Sequence, residues 1–249
     1  MSPVRAILRT GAFMGWSATI LGAFEIRLAL TPQAERDALA DRYRARLSRG
    51  ALRLFGTELL VQGQPSSQRG ALVVANHQSA LDIGVMLALF QAVLVSRHDV
   101  AQWPLLGRLA KHGDTIFVDR DNRRSGAAAL REIRRRVEEG RTVAAFPEGG
   151  TFPGDSVHPF HAGVFAAVQP LDAPVIPVGL AYSPAVPYGQ ESFARHMARI
   201  AARPTTRIAV HLGEPLDRGS DAKSTAQKAR ARVESLVLEA RAALEALGS

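Results

Sequence analysis

Residues 71–82 read Ala-Leu-Val-Val-Ala-Asn-His-Gln-Ser-Ala-Leu-Asp. Five apolar residues run straight into a polar turn, and apolar residues return at helical spacing over 79–90. A short apolar run closed by turn residues predicts a strand buried on both faces. Outward from it the same texture recurs. Further strands are predicted at 93–96, 115–118, 142–146, 175–181 and 207–212, with Pro177 marking the fourth of these as an edge or bulge. Between them, Leu130, Ile133 and Val137 form the stripe of a helix that Ser125 would cap and Gly140 would stop. Val233, Leu236, Val237, Ala240 and Leu244 form the stripe of another. Strands alternating with helices predict an α/β fold, a mixed, largely parallel sheet covered by helices on both faces.

The chain has 249 residues, of which 47% are hydrophobic and 22% charged, enough for one sizeable core with appendages and incompatible with wholesale disorder. Its formal charge is +8, and 28 of the 31 basic residues are arginine. A basic surface attracts phosphates, whether of nucleic acid, lipid headgroups or an anionic cofactor. With no cysteine, disulfides, cysteine-ligated zinc, iron–sulfur clusters and thiol nucleophiles are excluded.

The N-terminus differs in texture. Arg5 and Arg9 precede a charge-free stretch, 10–24, that contains Phe13, Met14, Trp16, Ile20, Leu21 and Phe24. Its 15 residues fall short of the ~20 a spanning helix needs. A cleaved leader, a core helix and a helix lying in the membrane interface all fit this pattern, although no clean small-x-small cleavage site follows. Residues 32–55 then read as a basic amphipathic helix, either solvated or touching anionic lipid. Residues 61–70, rich in Gln, Ser and Gly, mark a junction between an N-terminal helical part, 1–60, and an α/β part, 61–249.

Open α/β sheets place their chemistry in loops beyond the carboxyl ends of strands. Three such loops stand out. In the first, His77 and Asp82 are five apart, about 140° around a continuous helix, so they meet only if His77 lies in the turn before the helix. There the carboxylate would hold one ring nitrogen and leave the other as a general base. Ser79, between them, is a capping hydroxyl or an acyl-enzyme nucleophile. The second loop follows Phe117-Val118 with Asp119-Arg120, either a salt bridge at a strand end or a guanidinium offered to an anionic headgroup. The third, Phe146-Pro147-Glu148-Gly149-Gly150-Thr151, lets backbone approach a ligand and present N–H groups to an anion. His158-Pro-Phe-His161 has the spacing of a metal pair, but Pro159 and the lack of a third ligand speak against one.

Asn-His-Gln-Ser-x-x-Asp from 76, Phe-Val-Asp-Arg from 117, Phe-Pro-Glu-Gly from 146 and Val-Ile-Pro-Val from 175 close successive strands in one order. This chain resembles the lysophosphatidic acid (1-acylglycerol-3-phosphate) acyltransferase family over about residues 70–215, and Trp103-Pro-Leu-Leu-Gly107 also looks like that family. The resemblance implies that His77 and Asp82 are catalytic, with His77 taking the proton of a lysolipid hydroxyl. Arg120, Glu148, Gly149, Gly150 and Thr151 would bind substrate, and Ser79 would be a capping hydroxyl. It implies no metal and no cofactor, acyl-CoA or acyl-carrier protein being a co-substrate. The acceptor it implies first is 1-acylglycerol-3-phosphate, giving phosphatidic acid. One departure bears on that choice. The family's third block commonly continues Gly-Thr-Arg, whereas Gly150-Thr151 follow Gly149 here, so the usual arginine is missing. Arg123, Arg124 or His158 would be substitutes, or the acceptor is another lysolipid such as a lyso-ornithine lipid. Lipid substrates and cytosolic thioesters imply a retained N-terminal module on the cytoplasmic face of the inner membrane, and no nucleic-acid partner. A lipase-like hydrolase or a non-catalytic lipid-binding module are the remaining readings. The sequence specifies no oligomeric state.

Overall fold

A computed structural model describes residues 1–65, 70–98, 114–119, 122–184, 186–189 and 191–247. Among the described residues seven strands form one sheet: β1 (Thr57–Gln62), β2 (Leu72–Ala75), β3 (Val93–Arg97), β4 (Ile116–Val118), β5 (Val143–Ala145), β6 (Val175–Tyr182) and β7 (Thr206–Leu212), in the order β1-β7-β6-β2-β5-β3-β4. All pairings are parallel except β6 with β7. The central strands β2, β5 and β6 are buried at every residue, which is why they read as unbroken apolar runs. After β2 the chain builds β3, β4 and β5 on one side and then crosses to build β6 and β7 on the other. That reversal at β2 opens a crevice beyond its carboxyl end, where the Asn76–Asp82 stretch emerges.

Side chains of β2 alternate between two cores. Val73 and Ala75 join Leu52, Phe55, Val85 and Met86 under α2 (Arg36–Leu54) and α3 (Leu81–Phe90). Leu72 and Val74 join Ile133, Val137, Phe165 and Val233 on the opposite face. That face is covered by α4 (Arg123–Glu138), α5 (Gly163–Val168) and α7 (Ala222–Ala246). The last helix lies almost on β6: a Cβ at Gly179 would come within 2.4 Å of the Leu236 carbonyl carbon, so only glycine permits the contact.

Three readings of the sequence change. The N-cap of α4 is Asn122, whose side chain accepts from the Arg124 and Ser125 amides, while Ser125 Oγ accepts from Asp119 N instead. Pro177 lies in the interior strand β6, not at an edge. The β7 ladder begins one residue later, at Val178, and just beyond it Pro177 O accepts from Gly213 N at 2.9 Å while the proline has no N–H to return the bond. The charge-free run 10–24 lies within a 28-residue helix, α1 (Pro3–Leu30), that continues through Glu25 and Arg27. Strand β1, helix α5 and helix α6 (Phe193–Ala202) were not anticipated.

Helix α1 has the length and composition to cross a membrane, but it lies along α2 and α6. Phe13 packs on Phe55 and Phe24 on Tyr43, with ring centroids 5.3 and 5.4 Å apart, and Trp16 Nε1 donates to Leu47 O at 3.2 Å. An ion cluster around the buried Arg141 ties α2 to the sheet layer: Arg141 meets Asp41 at 2.7 Å and also bonds Asp114, both carboxylates being partly exposed. At the other end, Arg9 fans its guanidinium over the carbonyls of Phe55 (3.0 Å), Arg203 (2.7 Å) and Pro204 (3.0 Å), capping the C-terminus of α6. Replacing Arg9 with Ala removes these charge-assisted bonds, and thermal unfolding should show a loss of about 1–3 kcal/mol; an unchanged Tm would mean that α1 is not fastened there.

Candidate active site

His77 lies in the turn between β2 and α3, and Asp82 in the first turn of α3. The chain curls so that Nδ1 of His77 and Oδ2 of Asp82 are 2.7 Å apart. Because a buried carboxylate accepts, Nδ1 carries the proton and Nε2 is left with its lone pair. Asp82 is fully buried, while the His77 side chain is 16% exposed. Among the described residues nothing bonds to Nε2. The Asp82 carboxylate also accepts from Gln78 N (2.7 Å), Ser79 N (2.9 Å) and the Tyr182 hydroxyl.

Three strands hold this turn. From β2, Asn76 exchanges two bonds with Leu180 of β6, Nδ2 to O at 2.9 Å and Leu180 N to Oδ1 at 2.8 Å. From the exit of β5, Phe146 stacks on the imidazole with centroids 4.1 Å apart and an interplanar angle of 14°. Gly149, at φ 81°, turns the third loop back so that Phe152 N donates to His77 O at 2.8 Å. Glu148 is buried, and its carboxylate is directed at backbone: Oε2 accepts from His77 N (2.6 Å) and Oε1 from His158 N (2.9 Å). Burial raises its pKa from 4.5 to about 7, against the opposing pull of those two N–H bonds. Gly150 and Thr151 are half-buried beside it, and His158 stacks on Phe152 at 3.9 Å. Arg120 and the 103–107 block lie outside the described residues, as does the side chain of Arg123. Among the described residues no cluster of three His, Cys, Asp or Glu side chains is arranged to hold a metal.

Ser79 has the connections of a triad nucleophile but not the access. Its hydroxyl donates to His196 Nε2 (3.0 Å), His196 Nδ1 reaches Glu191 Oε1 (3.1 Å), and both Ser79 and His196 are fully buried. Ser79 Oγ also accepts from Leu81 N at 3.3 Å, a serine-turn bond just ahead of α3, whose N-cap position is Ala80 and carries no side-chain cap. His196 sits on the unanticipated helix α6, and no spacing in the sequence pointed to it. Tyr182 had a weak signal, a polar-tipped aromatic ending an apolar strand.

Comparisons with known proteins show the family and the fold. The family model described as Acyltransferase matches residues 58–181. A lyso-ornithine lipid O-acyltransferase of Pseudomonas aeruginosa is 31% identical over 251 residues, covering 94% of this chain and 93% of that protein. The chain belongs to this acyltransferase family. A 1-acyl-sn-glycerol-3-phosphate acyltransferase of Neisseria gonorrhoeae is 33% identical over 138 residues, 55% of this chain and about half (54%) of that protein. The crystal structure of the Thermotoga maritima 1-acyl-sn-glycerophosphate acyltransferase superposes with a TM-score of 0.76 at 20% identity. It covers 97% of this chain and 98% of that one, so the acyltransferase fold extends over the whole molecule.

The raised pKa of Glu148 has a sign. A carboxyl whose folded pKa lies above its unfolded value is stabilising while protonated, and that contribution is lost as pH rises from 4.5 to about 7. Wild-type protein should therefore lose up to about 3 kcal/mol relative to Glu148→Gln across that window. Denaturant unfolding of both proteins at pH 4.5, 6 and 7.5 reads the difference; parallel pH dependences would contradict it.

Proposed function

We propose that the protein is an O-acyltransferase that moves a fatty acyl group from an acyl-CoA or acyl-carrier-protein thioester to the free hydroxyl of a lysolipid. The observation that carries this reading is the His77–Asp82 pair, bonded at Nδ1 and open at Nε2. Nε2 takes the hydroxyl proton as the oxygen attacks the thioester carbonyl. The tetrahedral adduct collapses, the C–S bond breaks, and the thiolate leaves and recovers the proton from the imidazolium. Asp82 fixes the tautomer and offsets the transient charge. General-base catalysis supplies about 10²–10⁴-fold, and placement of two substrates together with backbone N–H donors at the oxyanion supplies the rest.

The acceptor we assign is a lyso-ornithine lipid. Two observations favour it over lysophosphatidate: a lyso-ornithine lipid O-acyltransferase aligns along nearly the whole chain, and Thr151 stands where the third block usually has its arginine. The second reading, 1-acylglycerol-3-phosphate, draws support from the half-length match to its Neisseria acyltransferase and from Arg120 in the second block. Glu148, Gly149, Gly150 and Thr151 form the wall of the acceptor pocket in either case, with Glu148 acting through the backbone it holds. Helix α1 carries exposed Val4, Ile7, Leu8, Met14 and Ile26 while Arg5 and Arg9 are fastened to the body. That apolar face suits docking of the catalytic crevice on a lipid leaflet, at the cytoplasmic side where acyl thioesters are made.

An acceptor panel with one acyl thioester, read by mass spectrometry, tests the assignment. Lyso-ornithine lipid should be acylated faster than lysophosphatidate. His77→Ala should lose at least about 10²-fold, and Ser79→Ala should stay within about tenfold of wild type. Preference for lysophosphatidate would establish the second reading. Free fatty acid released without an acceptor, abolished by Ser79→Ala, would mean a hydrolase.

A further inference from the structure

The two oxygens of the Asp82 carboxylate serve different partners. Oδ2 gathers three donors from its own loop: His77 Nδ1, Gln78 N and Ser79 N. Oδ1 accepts from the Tyr182 hydroxyl, one hundred residues downstream and fully buried. Packing fixes that hydroxyl. Tyr182 closes β6, where its backbone pairs with Ile208 of β7 and its carbonyl accepts from Arg241 at 2.8 Å. Arg241 is itself held by Asp155 through bonds of 2.7 and 2.9 Å.

We propose that Tyr182 is a positioning residue of the acyl-transfer reaction: its hydroxyl occupies Oδ1 of Asp82 and weakens that carboxylate's pull on His77, so the imidazole remains the group that takes and returns the proton. The role in catalysis rests on the acyltransferase reading; the hydrogen bond itself does not. A carboxylate already accepting three other bonds is a weaker base toward the fourth donor. Without the hydroxyl, Oδ1 would stay buried and undonated, and more of the negative charge would face His77 Nδ1–H. The imidazolium would then be favoured, and the pair would titrate at higher pH. An imidazole that basic is protonated before substrate arrives and returns its proton to the leaving thiolate reluctantly. The other titratable groups around the pair are Glu148 at the exit of β5, His196 of α6 behind Ser79, and His158, whose amide shares Glu148. All three persist when only Tyr182 is changed.

The test compares wild type, Tyr182→Phe and protein carrying a fluorinated tyrosine at position 182, a stronger donor of the same shape. The His77 ring nitrogens are titrated by NMR in the free enzyme, and kcat/KM is measured against pH. Tyr182→Phe should raise both the NMR midpoint and the acid limb by about 0.5–1 unit, and fluorotyrosine should lower them. Acceptor KM should be unchanged in both. Midpoints that stay put in folded variants would overturn the proposal, and should Tyr182→Phe not fold, the fluorotyrosine protein alone decides the direction. Shifted midpoints in a protein that acylates no lysolipid would instead overturn the acyltransferase reading while leaving the hydrogen bond standing.

Discussion

A carboxyl without solvent must have its oxygens hydrogen-bonded, and Asp82 accepts four bonds. Two backbone amides, one imidazole and one phenol converge on it. Each fixes something different. The amides shape the turn, the imidazole takes its tautomer, and the phenol joins the turn to a strand on the far side of the crevice. The geometry of the site follows from satisfying this one buried charge.

Strand order makes that convergence possible. Because β2 lies between β5 and β6, the turn leaving β2 is flanked by the loop after β5 and by the extended end of β6. The short β2 stops at Ala75, whereas β6 runs on to Tyr182, four residues past its last pairing with β2 at Val178. The overhang carries Leu180 to Asn76 and Tyr182 to Asp82. From the other side, Glu148 takes the amides of His77 and His158 into one carboxylate, and Phe146 lies flat on the His77 ring. An imidazole placed by three strands needs little rearrangement when substrate binds, which suits the general-base role proposed for it.

The central strands were legible because burial on both faces leaves unbroken apolar runs, and the His77–Asp82 turn was legible because the spacing of the two residues forbids a continuous helix. Strand β1 was hidden: its residues Thr57-Glu58-Leu59-Leu60-Val61-Gln62 form a half-exposed edge with no strict alternation. Helix α1 looked too short because Glu25 and Arg27 interrupt its charge-free run, yet a helix tolerates charges on its exposed side. Glu148 reads in sequence as a ligand-binding carboxylate beside two glycines, while its oxygens are directed at amides that only the fold brings together. Tyr182 and His196 reach the site across 100 and 117 residues of chain, a proximity that sheet topology creates and local pattern does not encode.

The central claim is that the open nitrogen of His77 receives a proton from the acceptor's hydroxyl. A crystal structure with a lysolipid acceptor and an inert thioester analogue measures this directly. The hydroxyl oxygen should lie about 3 Å from His77 Nε2 and in line with the thioester carbonyl carbon, the Nδ1 bond to Asp82 being retained. An acceptor hydroxyl bonded to another side chain, with Nε2 facing protein or bulk solvent, would contradict the account.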